Sequence, residues 1–261
     1  MSQTRLHSRR EGAVLVLTLD GPETRNAIGP DFYLTLQAAL IEAPRDGARA
    51  VVLTGAGGFF CSGGNINALK DSASGTMAEA TARTDRLNAL IRAIRDCPVP
   101  VVAAVEGGAA GAGLSLALAC DLIVAAEGAK FVAAYVKVGL SPDGGATWFL
   151  RAALPQPLVM EMCLLGTPVT AERLAGAGLV NLLAKPGEAE AQALAMATRI
   201  AEGPREATQR IKRLVIDAAR NDLATHLLIE ADGINTARFG PEAAEGLAAF
   251  QQKRKPVFDR S

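Results

Sequence analysis

The sequence predicts an α/β fold in which parallel strands alternate with helices, followed by a run of helices at the end of the chain. Three observations support this prediction. Short apolar segments alternate with stretches of helical spacing through the first half of the chain. Glycine-rich turns follow two of the predicted strands. From residue 188 onward the pattern is helical, interrupted by Gly-Pro pairs at 203–204 and 240–241.

Four short apolar segments in the first half are predicted to be buried strands: Ala13–Leu19, Ala50–Thr54, Pro100–Val105 and 120–128. Helical spacing between them predicts helices over Asp31–Glu42, Thr81–Arg95 and Leu114–Ala119. Strands and helices that alternate at this spacing indicate a parallel sheet with right-handed crossovers. The apolar side chains expected on the first helix are Phe32, Leu34, Leu36, Leu40 and Ile41.

The second half is predicted to be mainly helical. Helices are expected over Val159–Leu165, after Thr170 as an N-cap, and over 188–202, 204–221, 222–239 and 241–253, with one short strand at 179–184. We therefore predict a core region over 1–200 and a helical oligomerisation region over 201–261. About 60 residues are too few for a good core of their own. This region should pack on the main body or on another subunit.

The composition argues against several classes of function. The chain has 261 residues, of which 49% are hydrophobic, and 27 basic residues balance 27 acidic ones. A neutral chain has no long-range attraction to nucleic acid or to an anionic membrane, so neither partner is expected. The four cysteines form no CxxC pair and the chain has only two histidines, so no metal site is expected.

The expected location is the cytoplasm. The N-terminal segment is polar and lacks the apolar run of a signal peptide. Glu106 and Asp121 interrupt the longest apolar tract, and the uncharged piece between them is shorter than the ~18 residues that indicate a membrane span. Free, buried thiols fit a reducing compartment.

Two glycine-rich turns suggest a site for negative charge. The string FCSGGN follows the second strand and GGAAGAG follows the third. Small residues at a strand-to-helix turn leave backbone N–H groups accessible, and these groups can bind a phosphate or stabilise an oxyanion. A dinucleotide site is disfavoured, because GAGLSL lacks the third glycine of that motif. Glycines that serve only tight packing remain an alternative.

The motifs together resemble the enoyl-CoA hydratase/isomerase (crotonase) superfamily. The resemblance is carried by VAAVEGGAAGAGLSLALACDL and GFFCSGGNI, and it continues in GPETRNAI, LLGTPVTAERLAGAGLVNLL and EGLAAFQQKRKPVF, which together cover most of the chain. It implies a crotonase-like spiral of ββα units with a C-terminal helical trimerisation region. It also implies an acyl-CoA thioester substrate, no cofactor other than the coenzyme A of that substrate, and a homotrimer or a dimer of trimers.

The resemblance also implies site residues. The backbone N–H groups of Gly64 and Ala112 correspond to the family's oxyanion hole. The segment of Arg25, Asn26 and Ala27 is similar to the family's loop for coenzyme A. Near the C-terminus, Phe250, Lys253 and Lys255 are candidates to reach the coenzyme A of a neighbouring subunit, the alternative being a solvated helix end.

The catalytic acid departs from the hydratase pattern. Family hydratases use two glutamates, and the corresponding residues here are Ser115 and Tyr135, neither of which can act as a carboxylate base. Asp143, in PDGGATW, instead resembles the branch that contains the ring-epoxide CoA isomerase of phenylacetate degradation, where an Asp moves a proton. A dehalogenase branch also carries an Asp there but needs a His on the helix over Thr81–Arg95, which has none. An N-cap role for Asp143 is the structural alternative.

Three functions follow, in order of preference. The first is an isomerase in which Asp143 moves a proton while the amides of Gly64 and Ala112 hold an enolate oxygen. The second is an enoyl-CoA hydratase, and the third is a CoA-thioester-binding protein without turnover.

The acyl pocket is expected near Ser72–Thr84 and Phe131–Tyr135. The remaining singled-out residues are expected to be structural or superficial: Asp121 and Cys61 in packing, Trp148 and Phe149 in the core or pocket wall, and His7 and His226 on the surface.

Overall fold

The structure, a computed structural model, describes residues 4–65 and 75–258. Its strands are β1 (Arg5–Glu11), β2 (Val14–Asp20), β3 (Ala50–Gly55), β4 (Val101–Val105), β5 (Gly108–Ala110), β6 (Leu122–Ala126), β7 (Lys130–Val132), β8 (Val169–Thr170) and β9 (Leu182–Ala184). Its α-helices are α1 (Pro30–Glu42), α2 (Met77–Asp96), α3 (Ala112–Ala119), α4 (Ala146–Ala153), α5 (Gln156–Leu165), α6 (Ala171–Gly176), α7 (Ala189–Ala201), α8 (Arg205–Ala218), α9 (Leu223–Arg238) and α10 (Pro241–Gln251). Short 3-10 helices span Pro22–Thr24 and Ala134–Val138.

The larger sheet has six strands in the order β1-β2-β3-β4-β6-β9, and the smaller sheet has three in the order β5-β7-β8. From β2 to β9 the larger sheet is parallel, as predicted. In the smaller sheet β5 and β7 are parallel, and β8 is antiparallel to β7. The four predicted strands are all present, with ends shifted by one or two residues.

The edge strand β1 was not predicted. It pairs with β2 in antiparallel register from Arg5–Asp20 to Glu11–Val14. Most of its side chains are exposed, so RLHSRRE lacks the apolar alternation that identifies a half-buried strand. Charged residues on an edge strand also hinder pairing with a second chain. The neighbouring strand, not the local pattern, therefore determines this element.

The core is formed by the central strands and the helices that cover them. All five residues of β4 are buried, which is expected for a parallel strand with helices on both sides. Helix α7 contacts β3 and β4, and α1 contacts α2. On α1 one detail of the prediction was wrong, because Leu34 and Ile41 are about half exposed while Tyr33 is buried with Leu36 and Leu40.

Side-chain hydrogen bonds cap the N-terminal ends of α2 and α6 and fix where these helices begin. Helix α2 begins four residues earlier than predicted, because Thr76 and Glu79 form a capping box in front of its exposed first turns. The apolar spacing used for the prediction appears only later in that helix, where Leu87 is buried. The predicted N-cap of α6 is confirmed, since the Thr170 side chain accepts a hydrogen bond from the Arg173 N–H.

The C-terminal helices are joined to the sheet by a buried ion pair. Lys212 Nζ of α8 lies 2.7 Å from Asp121 Oδ2, and it donates to the carbonyl oxygens of Ile94 and Val99 at 3.4 and 3.2 Å. The same Asp121 oxygen accepts the Val101 N–H at 2.8 Å. The structural role expected for Asp121 is thus confirmed. The boundary near residue 200 stays a prediction.

None of the helices in the described part of the chain is long and apolar enough to cross a bilayer. Within the same residues, no group of three or more His, Cys, Asp or Glu side chains is arranged to hold a metal ion. The free cysteines Cys61, Cys97 and Cys120 are buried, and Cys163 is partly exposed.

We predict that Lys212→Met destabilises the protein by about 3–5 kcal/mol at neutral pH, because it leaves Asp121 buried without its cation. Burial already raises the pKa of Asp121 and Lys212 opposes that shift. The variant's deficit should therefore shrink as the pH falls and Asp121 takes a proton. Urea unfolding at pH 5 and pH 8 measures both effects.

The matched control is Arg213→Met on the next residue of α8, whose exposed guanidinium pairs with Asp217 at 2.7 Å. This variant should lose less than about 1 kcal/mol of unfolding free energy. Equal small losses in both variants would contradict the role assigned to Lys212.

Candidate active site

The two glycine-rich turns lie against each other. The Cys61 N–H donates to the Gly108 carbonyl oxygen at 3.3 Å, and the Ala110 N–H donates to the Cys61 carbonyl oxygen at 3.0 Å. A Cβ added to Gly63 would lie 2.6 Å from the Ala110 oxygen and 3.0 Å from the Ala112 nitrogen. Glycine is therefore required at position 63, and the loop before Gly64 stands directly against the amide of Ala112.

Two amides at this junction have no hydrogen-bond partner among the residues that the structure describes. Ile28 pairs with the loop through the Gly63 oxygen and the Asn65 N–H, which leaves the Gly64 N–H out of the pairing. Ala112 is the first residue of α3, where a backbone N–H has no intrahelical acceptor. Within residues 4–65 and 75–258 neither amide donates to the protein. The start of α3 also contributes the positive end of a helix dipole.

The predicted coenzyme A loop is fixed to the first glycine-rich turn. The Asn26 side chain is fully buried, accepts the Gly21 N–H at 2.8 Å and donates to the carbonyl oxygens of Ala56 and Phe59 at 2.9 and 2.6 Å. Asn26 therefore shapes the loop from within. The exposed surface of the segment belongs to Arg25 and, in part, Ala27.

Arg25 is held in place by the same turn. It adopts a left-handed conformation with φ of 53°, and its carbonyl oxygen accepts the Ser62 N–H at 2.9 Å. Its guanidinium lies 5.4 Å from the centre of the Phe59 ring, a cation–π distance. A fixed, exposed cation beside the turn is suited to a phosphate-bearing ligand, and the coenzyme A contact itself stays a prediction.

Ser115, Tyr135 and Asp143 form one hydrogen-bonded cluster. The Tyr135 hydroxyl donates to Asp143 Oδ1 at 2.8 Å. The fully buried Ser115 hydroxyl donates to the Asp143 carbonyl oxygen at 2.9 Å and lies 3.4 Å from the Tyr135 hydroxyl. The 3-10 helix over Ala134–Val138 brings Tyr135 to this point, and α3 brings Ser115. Within the cluster, Asp143 is the only carboxylate.

Asp143 does not cap the following helix. The N-cap of α4 is Gly145, with no side-chain hydrogen bond, and the Asp143 carboxylate is directed to Tyr135 instead. The capping role considered from the sequence is therefore wrong. Gly144 explains the local geometry, because its φ is 57° and an added Cβ would lie 2.9 Å from the Ser115 Cβ.

The electrostatics of the cluster favour neutral forms. Burial raises the pKa of Asp143 above that of a free carboxyl, and the hydrogen bond from Tyr135 opposes part of this shift. Burial and the charge of Asp143 together raise the pKa of Tyr135, so its phenol remains a donor at neutral pH. An acid with a raised pKa beside a fixed donor is suited to giving and accepting a proton.

Sequence reasoning missed Tyr33. This residue, in the first turns of α1, is 8% exposed. Burial raises its pKa, and the charge of Asp143 adds to this shift. The helical spacing of Phe32, Leu36 and Leu40 contained a signal, since Tyr33 lies on the same buried side.

Cys61, Phe149 and Trp148 were also singled out from the sequence. Cys61 is fully buried, its thiol donates to the Asn26 carbonyl oxygen at 3.1 Å, and burial raises its pKa to about 12, so it packs the turn as an unreactive thiol. Phe149 lies in the core, which is one of the two locations predicted for it. Trp148 is 50% exposed, and its ring lies edge-on to that of Phe149. In this chain Trp148 is therefore not a core residue.

Of the two histidines, His7 is on the surface as predicted, but His226 was placed wrongly. Its side chain is 14% exposed, against 59% for His7. The difference arises because His226 lies on α9 between Asn221 and Glu230, where the turn before the helix covers it.

Phe250 and Lys253 lie at the end of α10. Phe250 is 84% exposed, and Lys253 follows with a left-handed φ of 54°. Lys255 Nζ lies 3.2 Å from the Glu202 carboxylate. Their contact with the coenzyme A of a neighbouring subunit stays a prediction. Of the expected pocket segment Ser72–Thr84, the residues up to 74 lie outside the described part of the chain.

Comparison with known proteins identifies the family. The profile described as "Enoyl-CoA hydratase/isomerase" matches residues 9–261. The chain belongs to the enoyl-CoA hydratase/isomerase family. The crystal structure of an enoyl-CoA hydratase from Polaromonas sp. JS666 is similar with a TM-score of 0.95 and 42% identity, over 97% of this chain and 99% of the other. The predicted fold class, an α/β crotonase-like fold, is thereby confirmed.

The relatives within the enoyl-CoA hydratase/isomerase family carry two kinds of name. A Rhodobacter capsulatus protein named "Probable enoyl-CoA hydratase" is 38% identical over 93% of each chain. The "1,2-epoxyphenylacetyl-CoA isomerase" of Escherichia coli is 35% identical over 96% of this chain and 97% of its own. An acyl-CoA enzyme of this family is therefore the conclusion that the comparisons support.

We predict that Tyr135→Phe raises the pKa of Asp143 further, because it removes the side-chain donor that stabilises the carboxylate while leaving the burial in place. A carbon-13 NMR titration of labelled aspartates follows this pKa directly. Ser115→Ala is the control, since the Ser115 hydroxyl binds the main chain of Asp143 and not the carboxylate. A lower or unchanged pKa in Tyr135→Phe would refute this account of the cluster.

We predict that Gly144→Ala lowers stability by about 1–3 kcal/mol beyond its backbone strain, because the new methyl group must displace Ser115. Gly139→Ala is the matched control. Its φ of 73° imposes similar strain, but no atom lies within 4 Å of its added Cβ. Chemical denaturation measures the difference. Equal losses in the two variants would show that Ser115 can move aside at no cost.

Proposed function

We propose that this protein is an acyl-CoA isomerase in which Asp143 moves a proton between carbons of the acyl chain. The observation that carries the proposal is the Asp143–Tyr135 hydrogen bond inside a partly buried cluster in which Asp143 is the carboxylate. Ser115 and Tyr135, the other two members of the cluster, are the residues that the resemblance aligns with the two glutamates of family hydratases. One carboxylate suffices to remove a proton from one carbon and return it to another.

The proposed mechanism begins when the Asp143 carboxylate takes a proton from the carbon next to the thioester carbonyl. The charge that develops moves to the thioester oxygen as an enolate. The free amides of Gly64 and Ala112 are proposed to donate to that oxygen, and each such donor contributes on the order of 3 kcal/mol to transition-state stabilisation. The close approach of Gly63 supports the proposal, because a Cβ added to Gly63 would lie 3.0 Å from the Ala112 nitrogen.

The raised pKa of Asp143 supports both halves of the reaction. A carboxylate whose pKa is raised is a stronger base, and once protonated it is still a competent acid near neutral pH. Tyr135 holds one oxygen of Asp143 in a fixed direction, so the other oxygen is left to meet the substrate. No metal or redox cofactor takes part in the proposed reaction, and coenzyme A enters only as part of the thioester.

Hydration of an enoyl-CoA is the second candidate, because a relative with 38% identity is named a probable hydratase. Water addition needs one group to activate the water and a proton donor for the neighbouring carbon. In the cluster Asp143 would have to serve as both, with Tyr135 and Ser115 as neutral hydroxyls. A binding protein without turnover is disfavoured, since the premise of that reading was an Asp143 that only caps a helix.

We also propose that the molecule assembles as a trimer or a dimer of trimers in the cytoplasm. The C-terminal helices support self-association, because they expose many large apolar side chains, more than a monomeric surface usually tolerates. These are Ile211, Val215, Leu227, Leu228, Ile234, Phe239, Leu247 and Phe250. Covering them would also bring the end of α10 near a second copy.

The decisive experiment offers a 3-enoyl-CoA and a 2-enoyl-CoA in heavy water and follows double-bond movement, water addition and deuterium uptake. Asp143→Asn should reduce double-bond movement and exchange by about 10²–10⁴-fold while the affinity for the thioester persists. Circular dichroism checks the fold of the variant. Undiminished exchange in Asp143→Asn would remove Asp143 from the mechanism, and water addition by the wild type without double-bond movement would favour the hydratase.

A further inference from the structure

Ser115 has a buried hydroxyl that the proposed reaction does not use. The residue is fully buried, and its hydroxyl donates to the Asp143 carbonyl oxygen at 2.9 Å. A carbonyl oxygen can only accept, so the single proton of the Ser115 hydroxyl belongs to this bond. The Tyr135 hydroxyl, 3.4 Å away, directs its own proton to Asp143 Oδ1. The two hydroxyls therefore bind different parts of one residue, its main chain and its carboxylate.

Ser115 lies on the helix whose first amide is proposed to hold the substrate oxygen. Helix α3 has eight residues, begins at Ala112 and is buried along its whole length. The Ser115 N–H donates to the Gly111 oxygen at 3.2 Å, so Ser115 follows the start of the helix by one turn. The regular geometry of a packed helix thus fixes the position of Ser115 relative to the Ala112 amide.

The other end of the Ser115 hydrogen bond is the turn that carries Asp143. The Asp143 carbonyl oxygen also accepts the Ala146 N–H at 3.2 Å, where α4 begins. The next residue, Gly144, lies so close to α3 that an added Cβ would stand 2.9 Å from the Ser115 Cβ and 3.1 Å from its Oγ. The main chain of Asp143 is therefore held by α4 on one side, and the Ser115 hydroxyl attaches it to α3 on the other.

We propose that Ser115 is a positioning residue, whose hydroxyl fixes the separation between the Asp143 carboxylate and the Ala112 amide. The inference rests on the proposed function, in which the carboxylate takes a proton from one carbon and the amide holds the oxygen of the adjoining carbonyl. That carbon and that oxygen belong to one planar enolate, so the base and the amide must stand at a set separation. A misplacement of about 1 Å in such a pair can lower the rate by about 10²-fold.

Ser115→Ala tests this role, because it removes the hydroxyl and little volume. The kcat for double-bond movement should fall about 10- to 100-fold, with KM for the thioester unchanged. The pH at which activity appears should also stay unchanged, since burial and the Tyr135 hydroxyl, which shift the pKa of Asp143, both remain. Tyr135→Phe provides the contrast, because the higher pKa expected for Asp143 in that variant should move its activity to higher pH.

Thr54→Val is the matched control. Thr54 also has a buried hydroxyl that bonds a main-chain oxygen, that of Ala104 at 3.5 Å, but within the larger sheet. Both variants should lose stability in urea, and only Ser115→Ala should lose kcat per folded molecule, which circular dichroism and protein concentration determine together. A merely structural Ser115 would behave like Thr54.

An unchanged kcat in Ser115→Ala, a change confined to KM, or a shifted pH profile in that variant would overturn the proposal. Failure of the proposed function is distinguishable, since it appears as undiminished proton exchange in Asp143→Asn. A normal kcat in Ser115→Ala beside an inactive Asp143→Asn would overturn the role of Ser115 alone.

Discussion

The close approach of two glycine-rich turns is the constraint on which this site depends. Gly63 and Gly113 face the opposite turn so closely that any side chain would strike backbone atoms, the Ala110 oxygen at 2.6 Å and the Cys61 oxygen at 2.4 Å. Because the larger sheet is parallel, the turns after β3 and β4 emerge at the same edge. Hydrogen bonds from the Cys61 N–H to the Gly108 oxygen and from the Ala110 N–H to the Cys61 oxygen then join them. This contact brings Gly63, the residue before Gly64, against the amide of Ala112.

A second layer of interactions fixes the turns from behind. The Asn26 side chain bonds three carbonyl oxygens of the first turn, at Ala56, Phe59 and Phe60, and so ties the segment around Arg25 to it. A buried amide with all its partners is rigid, because any movement would leave polar groups unpaired in a low-dielectric interior. The exposed cation of Arg25 and the amide of Gly64 thus belong to one rigid unit, which suits a ligand with a distant phosphate and a reactive thioester.

Burial gives the cluster of Ser115, Tyr135 and Asp143 its chemistry at the expense of stability. An acid whose pKa is raised in the folded state is one that folding would prefer to keep neutral. Such a group is retained where function needs it, and active sites commonly combine function with local destabilisation. The pKa of Asp121 is also raised by burial, but its carboxylate has the cation of Lys212 2.7 Å away, and this pair joins α8 to the sheet.

Much of the fold followed from the amino-acid sequence. Buried parallel strands are continuous apolar runs and amphipathic helices repeat every 3.6 residues, so β2, β3, β4 and the C-terminal helices were predicted close to their observed ends. The glycines of the two turns and the carboxylate of Asp143 could likewise be singled out from the sequence as candidate site residues. The edge strand β1 was not, since its pairing depends on β2 and its own side chains are exposed.

What only the tertiary structure decided is which groups meet. The sequence left Asp143 open between a helix cap and a catalytic carboxylate, and the hydroxyl of Tyr135, brought in by a 3-10 helix, showed that the side chain does not cap. The sequence also gave no reason to connect Tyr33 with Asp143, which is more than a hundred positions away. A one-dimensional pattern reports which face of an element is buried, but the contacts between distant elements arise only when loops, sheets and helices pack together.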